Sequence, residues 1–432
     1  MSEPLPQADP AFEPSERQLA VTRHGAGRLL VRGAGGTGKS TALRLRLAAL
    51  SGGDADPSSV AYVAGTRDGA AATVAALERI IAPPYEELAV FTWPGLAEMV
   101  LRSDPVPAGI DPDFEILGPA ERLAMLLVRF DDLPLRHHQI RGNPTGLMTT
   151  LIRQLDRMKS DGVSADQIRA TAGTGDERDL RRAEMGDLME AHDEILASIG
   201  CLDENGAISA AKDLLEKNPG LLDSFVSRHP HLVVDQLEEL SPLSGALLER
   251  LTGGVESAVL AIDDTRTSPG SAANELLDRI QPIETIELED SWRLGSDAID
   301  VARALIAGTD RAPSVAWRPA AEGASVRFWR SSSDQAEAQA VAREIEHDAA
   351  DGLDPEKVAI VVTDPNRHGQ VVAGALLERG IPARMGGSSA LFRQPEVRDT
   401  IAWLRALTDP TDASAVTRAL TRPPIGLRSV DL

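Results

Sequence analysis

A glycine-rich loop between an apolar run and a helical pattern constrains this chain more than any other stretch. Arg28–Thr41 predicts a short buried strand, a loop and the first turn of a helix. Within it, Gly33, Gly38, Lys39 and Ser40 satisfy the pattern G-x-x-x-x-G-K-[ST] in the strand, loop and helix setting that it requires. The glycines let backbone N–H groups curl around an anion, and the helix N-terminus adds partial positive charge. We therefore predict a phosphate-binding loop, because a merely flexible loop has no use for this lysine and hydroxyl.

The predicted ligand of this loop is ATP with its Mg²⁺ ion. Lys39 would reach the β- and γ-phosphates, and Ser40 would ligand the metal. The loop residues expected to contact the nucleotide are Gly33, Ala34, Gly35, Gly36, Thr37, Gly38, Lys39, Ser40 and Thr41. Gln18 precedes the loop closely enough to fold back over the nucleotide, where its amide would pair with an adenine edge. An ordinary surface glutamine has the same sequence context, so Gln18 alone does not decide between the two.

Composition limits the class of protein. With 432 residues, 42% of them hydrophobic and 25% charged, the chain predicts two to four folded domains rather than disorder. No apolar run approaches the roughly 18 residues of a membrane span, and the first residues lack a secretory signal pattern. The lone Cys201 excludes internal disulfides and cysteine-built metal sites. We expect a soluble, cytoplasmic protein with no membrane partner.

The net charge of −22 argues against an exposed basic surface that holds nucleic acid passively. The charge is unevenly distributed, because residues 1–103 carry 10 basic and 11 acidic side chains. A nucleic-acid path over a locally neutral face therefore stays compatible with the composition.

Alternating strands and helices follow the loop. Val60–Val63 and Ala89–Phe91 predict short buried strands, and His231–Asp235 and Ala258–Ile262 predict two more. This alternation predicts a doubly wound parallel α/β sheet with ligands at the carboxyl ends of its strands. Asp235 lies at such an end, where we expect it to hold the Mg²⁺ that Ser40 also ligands.

Two further strand ends are placed to contact a ligand. Thr66 and Arg67 follow the predicted strand Val60–Val63, and Thr92 and Trp93 follow the predicted strand Ala89–Phe91. Arg67 is a candidate phosphate contact and Trp93 a candidate stacking platform for a base. The alternative for Trp93 is a packing role in the core.

Periodicity divides the rest of the chain. From residue 110 to 223 the strand signal fades and a helical stripe pattern predicts an all-helical insertion. Glu284–Leu288 and Val358–Val362 predict the strands of a second α/β unit. The predicted segments are a first α/β domain (1–109 and 224–282), the helical insertion (110–223), a partial second α/β domain (283–390) and a further helical start (391–432).

The order of these elements resembles the UvrD/PcrA/Rep family of superfamily 1 DNA helicases. Gln18 is similar to the family's adenine-reading glutamine, and Arg293, which ends a segment similar to L-x-x-N-Y-R, to its γ-phosphate-contacting arginine. The other similar segments, in chain order, are Gly33–Thr41 (motif I), Ala64–Arg67 (motif Ia), Phe91–Trp93 (the Thr-rich DNA motif), Val234–Glu239 (motif II), and Phe392–Leu407 with Arg422–Leu427 (the mobile inserted domain). The resemblance implies RecA-like domains, ATP and Mg²⁺ as cofactors, and 3′–5′ movement on single-stranded or tailed DNA in repair or recombination. It also implies that Thr66, Arg67, Thr92 and Trp93 contact DNA.

Several positions depart from the family pattern. Gln236 stands where the family has its catalytic glutamate, and an amide cannot accept the proton of an attacking water. Arg266 stands where a glutamine senses the γ-phosphate, and we expect it to contact the nucleotide. Thr363 stands where the family has an arginine. The sequence ends at Leu432, before the positions of motifs V and VI. We expect slow hydrolysis, with Glu238 or Glu239 unable to replace the glutamate fully.

A second function stays open beside the active motor. Asp235–Pro242 and His24–Val31 resemble the AdnA-type subunit of heterodimeric helicase-nucleases. That resemblance implies a hydrolysis-poor structural subunit that binds nucleotide and DNA and supports a second subunit. A small-molecule kinase is disfavoured, because it explains neither the helical insertion nor residues 391–432.

Overall fold

A computed structural model shows two compact units, residues 1–326 and residues 327–432. The residues that it describes are 13–52, 56–81, 83, 85–138, 144–173, 175–311, 315–320, 325–385, 395–408, 412–423 and 425–427.

The first unit is built on a six-stranded sheet. The strands of this unit are β1 (Gly27–Gly33), β2 (Val60–Ala64), β3 (Val90–Phe91), β4 (Glu115–Leu117), β5 (Cys201–Asp203), β6 (His231–Asp235), β7 (Ser257–Asp263), β8 (Glu284–Leu288), β9 (Asp290–Ser291) and β10 (Arg318–Pro319). The large sheet has the order β3-β2-β6-β7-β1-β8, and all its pairings are parallel. The predicted doubly wound parallel α/β sheet is confirmed.

Helices cover both faces of this sheet. In chain order they are α1 (Glu16–Arg23), α2 (Lys39–Leu50), α3 (Arg67–Leu77), α4 (Trp93–Ser103), α5 (Pro119–Val128), α6 (Pro144–Ser160), α7 (Ala165–Thr171), α8 (Glu177–Ser198), α9 (Glu204–Lys217), α10 (Pro219–Arg228), α11 (Pro242–Thr252), α12 (Ala272–Arg279) and α13 (Ser296–Ile306). Every residue of β7 is buried, because helices on both faces leave a central parallel strand no contact with water. One core contains Leu43 of α2 and Val31 of β1, and the other contains Leu96 of α4 and Leu260 of β7.

The position of β7 decides which acidic residue lies beside the phosphate loop. β7 lies between β1 and β6, and Gly33 at the end of β1 is in register with Asp263 at the end of β7. Asp235 ends β6, one strand further away. Two carboxylates from neighbouring strand ends therefore face the same edge of the sheet.

The helical insertion is less uniform than its periodicity predicts. Helices α5 to α8 enclose a core of their own that includes Leu126, Leu155 and Leu188. Helix α9 instead packs into the core beneath the sheet. The prediction of an all-helical insertion is corrected by β4 and β5, which form a parallel two-stranded ribbon. Strands of three residues are too short to show alternation, so the sequence pattern could not reveal them.

Two predicted strands of the second α/β unit behave differently from expectation. Glu284–Leu288 is a strand, β8, but it pairs with β1 and so extends the first sheet. Sequence pattern indicates that a strand forms, whereas its pairing partner is decided by tertiary packing. Val358–Val362 has no strand pairing with any residue that the structure describes, and Val361 is 94% exposed.

The second unit is helical in its described residues. It contains α14 (Asp334–Ala350), α15 (Gln370–Glu378), α16 (Pro395–Thr408) and α17 (Ala413–Thr421). Ala342 of α14 and Leu376 of α15 belong to its small core. The start of the predicted segment Phe392–Leu407, residues 392–394, lies outside the described residues, as does residue 424 within Arg422–Leu427.

Candidate nucleotide-binding site

The phosphate loop joins β1 to α2 through residues 34–38. Gly36 and Gly38 have φ angles of 80° and 84°, a left-handed conformation that costs glycine little and other residues more. Their surroundings also require glycine, since a Cβ on Gly36 would come within 2.6 Å of Ser291 Oγ and one on Gly38 would collide with Gln18 Nε2. Thr37 Oγ1 closes the loop by donating to the Ala34 carbonyl at 2.9 Å. The glycine pattern is therefore satisfied by close packing as well as by conformation.

Lys39 points back over the loop, as the motif predicts. Its Nζ donates to the carbonyls of Gly33 and Ala34 at 2.9 and 2.8 Å, and it lies 3.4 Å from Asp263 Oδ2. The side chain is only 12% exposed, so the charge is held at the mouth of the loop rather than in bulk water. The next residues, Ser40 and Thr41, lie in the first turn of α2 and are partly buried.

Gln18 is not a surface residue. It is 1% exposed, and its Oε1 accepts from the Ser15 N–H at 2.9 Å in the capping box of α1. Its Nε2 lies against Gly38 and finds no hydrogen-bond partner among the residues that the structure describes. A buried amide donor without a partner costs about 1–3 kcal/mol, unless a ligand completes the bond. The orphaned donor and the glycine cradle both fit a nucleotide at this loop.

An aromatic side chain missed in the sequence analysis lies at the same place. Trp292 Cδ1 is 3.8 Å from where a Cβ on Gly38 would stand, and the residue is 51% exposed. It follows β9, next to Arg293, whose Cβ lies 3.0 Å from the corresponding point at Gly36. The tyrosine of the L-x-x-N-Y-R pattern, at whose position Trp292 stands, was the available signal. Arg293, predicted to contact the γ-phosphate, is thus near the loop and exposed.

The end of β6 carries Asp235 and Gln236. Asp235 is 6% exposed and accepts from the Tyr62 hydroxyl at 2.9 Å. Burial, and next the charge of Asp235, raise the pKa of Tyr62, which keeps this hydroxyl a donor. Gln236 is the one non-glycine residue with a positive φ among the described residues, at 58°. Its Oε1 accepts from Thr66 Oγ1 at 3.1 Å, so its amide is bonded to the start of α3.

The two glutamates that follow have different surroundings. The Glu238 side chain is 6% exposed and accepts from the Asp263 N–H at 3.0 Å. Burial raises the pKa of Glu238, while the nearby Lys39 charge acts in the opposite direction. Glu239 pairs with Arg266, which also lies 3.5 Å from Glu238. Arg266, predicted to contact the nucleotide, is thus bonded to these two glutamates.

The predicted DNA-contacting residues are brought to the same edge of the sheet but are already engaged. The hydroxyls of Thr66 and Thr92 cap α3 and α4 by accepting from Gly69 and Gly95 N–H groups. Arg67 is 80% exposed and pairs with Glu204 at the start of α9. Trp93 is 6% exposed inside the core beneath the sheet, which favours the packing alternative.

The parallel sheet, the phosphate loop and the lysine over it define a phosphate-loop nucleotide-binding protein with a RecA-like domain. A family model described as the UvrD/REP helicase N-terminal domain matches residues 14–266. A second, the UvrD-like helicase C-terminal domain, matches residues 286–431. The chain therefore belongs to the UvrD/Rep helicase family.

Curated relatives agree with this assignment. The chain is 24% identical to DNA helicase II of Escherichia coli over 428 residues, covering 97% of this chain and 58% of that protein. It is 24% identical to DNA helicase II of Haemophilus influenzae over 420 residues, or 94% of this chain and 56% of that protein. It is 21% identical to ATP-dependent DNA helicase PcrA of Staphylococcus epidermidis over 426 residues, or 96% and 56%. The chain thus spans little more than half the length of these relatives. Within its described residues, no helix is long and apolar enough to cross a membrane.

Proposed function

We propose that this chain is the ATP-binding portion of a UvrD-like DNA translocase that moves 3′ to 5′ on single-stranded or tailed DNA. The observation that carries the proposal is the glycine cradle closed by Lys39, with the buried and unpartnered Gln18 amide beside it. The names of the relatives, DNA helicase II and ATP-dependent DNA helicase PcrA, support DNA as the substrate and ATP as the cofactor. DNA repair or recombination in the cytoplasm is the setting that this kinship favours.

Each part of the nucleotide has a residue to hold it in this proposal. Gln18 Nε2 donates to the base, and the exposed Trp292 ring offers it a flat face. Lys39 exchanges its carbonyl and Asp263 contacts for phosphate oxygens, and Arg293 adds positive charge at the γ-phosphate. Ser40 and Asp235 would hold Mg²⁺, which would neutralise phosphate charge.

Hydrolysis by this chain is proposed to be slow. Gln236 supplies no carboxylate, and Thr66 holds its amide at the start of α3. Glu238 is a buried carboxylate beside Asp263, but the Asp263 N–H and Arg266 already bind it. General-base catalysis is typically worth about 10²–10⁴-fold in rate, so its loss is a large effect.

The amide at position 236, where a carboxylate would be needed for fast hydrolysis, favours a second candidate function. A hydrolysis-poor subunit of a heterodimeric helicase-nuclease would bind ATP and DNA while a second subunit supplies the turnover. The two candidates share the nucleotide site and differ in rate.

ATP turnover with and without saturating single-stranded DNA tests the proposal, together with the affinity for MgATP. Tight MgATP binding with strong DNA stimulation supports the translocase, and tight binding with little turnover supports the structural subunit. Absence of MgATP binding would overturn both.

A further inference from the structure

The outer side of the phosphate loop is held by a two-stranded ribbon. β9 and β10 pair in parallel, and three donors from this ribbon and its flank reach the loop carbonyls. Trp317 Nε1 and Ser291 Oγ donate to the Gly35 carbonyl at 3.1 and 3.2 Å. The Trp292 N–H donates to the Gly36 carbonyl at 2.9 Å. Two consecutive carbonyls of the loop are therefore bound by the same ribbon.

Holding these carbonyls fixes the direction of the N–H groups opposite to them. A trans peptide is planar, with its C=O and N–H pointing in opposite directions. Binding the Gly35 carbonyl to the ribbon therefore turns the Gly36 N–H away from it, and binding the Gly36 carbonyl does the same for Thr37 N–H. Neither N–H has an acceptor among the described residues. Both are donors available to an anion in the cradle.

The loop needs such an external support because of its composition. Gly35 and Gly36 are adjacent glycines, whose backbone rotates more freely than any other pair of residues. A flipped peptide between them would point a carbonyl, rather than an N–H, at the phosphates. The free loop would therefore have to be ordered each time an anion binds, which lowers affinity.

The ribbon contacts are themselves rigidly built. Ser291 is fully buried, and its Oγ accepts from the Leu294 N–H at 3.3 Å, which leaves its hydrogen for the Gly35 carbonyl. Trp317 is 4% exposed and packs with Ala34 and Ile299 in a small core. Arg303 donates to the Trp317 carbonyl and fixes the segment before β10. These side chains have few alternative positions.

We propose that Ser291 and Trp317 are positioning residues that aim the Gly36 and Thr37 N–H groups at the nucleotide phosphates. The inference rests on the proposed nucleotide-binding function and deepens it. The same ribbon continues into Trp292 and Arg293. One segment would therefore position the N–H donors for the phosphates, the Trp292 ring for the base and the Arg293 guanidinium for the γ-phosphate.

The test compares Trp317→Phe, Ser291→Ala and the double variant with the native chain. Trp317→Phe keeps an aromatic ring in the core and removes the indole donor together with some ring volume, whose cost the unfolding midpoint reports. Affinities for MgATP, magnesium tripolyphosphate and adenosine would be measured by calorimetry or equilibrium dialysis, with the unfolding midpoint of each variant. Trp329→Phe, at a half-exposed tryptophan of the second unit, and Ser198→Ala, at an exposed position near the end of α8, are matched controls.

Each single variant is expected to bind MgATP and tripolyphosphate about threefold to tenfold more weakly, the range for one lost hydrogen bond. Adenosine affinity should stay unchanged, because the donors address phosphate alone. Unchanged tripolyphosphate affinity in the double variant would overturn the inference, and so would an equal loss for adenosine, which indicates a general structural role. If the native chain binds neither MgATP nor tripolyphosphate, the proposed function itself fails.

Discussion

The phosphate loop and the two strand ends proposed to contact DNA lie on the same edge of one sheet, but their polar groups differ in whether they already have hydrogen-bond partners. At the loop, Gln18 Nε2 is buried without a partner, and Gly36 and Gly38 admit no side chain. At the strand ends, Thr66 and Thr92 cap helices and Arg67 already has an acidic partner. An unsatisfied buried donor leaves a hydrogen bond for a ligand or a water to complete, whereas a satisfied donor leaves none. The proposed nucleotide site is therefore supported by the geometry of the loop, whereas the proposed DNA contacts are supported by similarity to the family alone.

This difference also predicts how easily each site would bind its ligand. In the proposed nucleotide complex, the unpartnered Gln18 amide beside the loop gains a hydrogen-bond partner. The strand ends must first give up internal contacts, so DNA binding is expected to be weak and sensitive to salt.

Restoring a carboxylate at position 236 should produce the largest change. Gln236→Glu is expected to raise DNA-stimulated ATP turnover by about 10²-fold or more, since a general base contributes about 10²–10⁴-fold. Steady-state turnover with saturating single-stranded DNA measures it. Gln281→Glu, at a loop glutamine away from the site, is the control.

A native turnover above about one per second, the lower range of typical enzymes, would show that Gln236 does not disable the site. Glu238→Gln then tests whether Glu238 is the substitute, because it removes a buried carboxylate that accepts from the Asp263 N–H and keeps the shape of the side chain.

Removing the Trp93 ring should affect stability rather than DNA affinity. Trp93→Ala leaves a cavity in the core beneath the sheet, and truncations of this kind cost about 3–5 kcal/mol. Denaturant unfolding gives the free energy, and a binding titration with single-stranded DNA below the transition gives the affinity. Weaker DNA binding with unchanged stability would instead make Trp93 a stacking platform.

Loss of the loop lysine should weaken nucleotide binding without unfolding the chain. Lys39→Ala removes the charge that meets the β- and γ-phosphates, so affinity for MgATP is expected to fall by more than tenfold. Calorimetric titration measures it, with Lys217→Ala at the exposed end of α9 as the control. Unchanged affinity would remove the basis of the proposed function.

The sequence predicts the sheet and the loop well because both signals are local. Apolar runs identify β1, β2, β6 and β7, and the loop motif lies within a single segment of the chain. Pairing is not local, which is why the place of β8 beside β1 could not be predicted.

Side-chain environment is the other part that the sequence hides. Nothing in the pattern of α1 indicates that Gln18 is buried with one unpartnered nitrogen. Trp317 contacts the loop from 282 positions away, and no spacing rule connects the two. The phosphate-loop motif can thus be predicted from the sequence, whereas the side chains that support the loop are identified only from the three-dimensional structure.

The smallest expected effect concerns the ion pair between Arg67 and Glu204, where the comparison between the two regions is sharpest. This pair is exposed on the arginine side, and exposed ion pairs contribute only about 0–1 kcal/mol. Glu204→Gln should free Arg67 and raise affinity for single-stranded DNA about twofold to threefold at low salt, since 1.4 kcal/mol is a factor of ten.

Arg67→Ala should lower affinity by a similar factor and make the slope of log affinity against log salt shallower by about 0.7, the value for one phosphate contact on a single strand. Arg279→Ala breaks an exposed arginine–glutamate pair elsewhere on the unit, with Glu249 at 2.8 Å, and should change neither quantity. If Arg67→Ala and Arg279→Ala behave alike, Arg67 contacts no phosphate and its bond to Glu204 is only structural. If Glu204→Gln strengthens binding while Arg67→Ala weakens it, the strand end is a DNA site, and its ion pair in the free protein competes with DNA. The phosphate loop and the strand end would then both bind a ligand. They would differ only in whether internal contacts must break before the ligand binds.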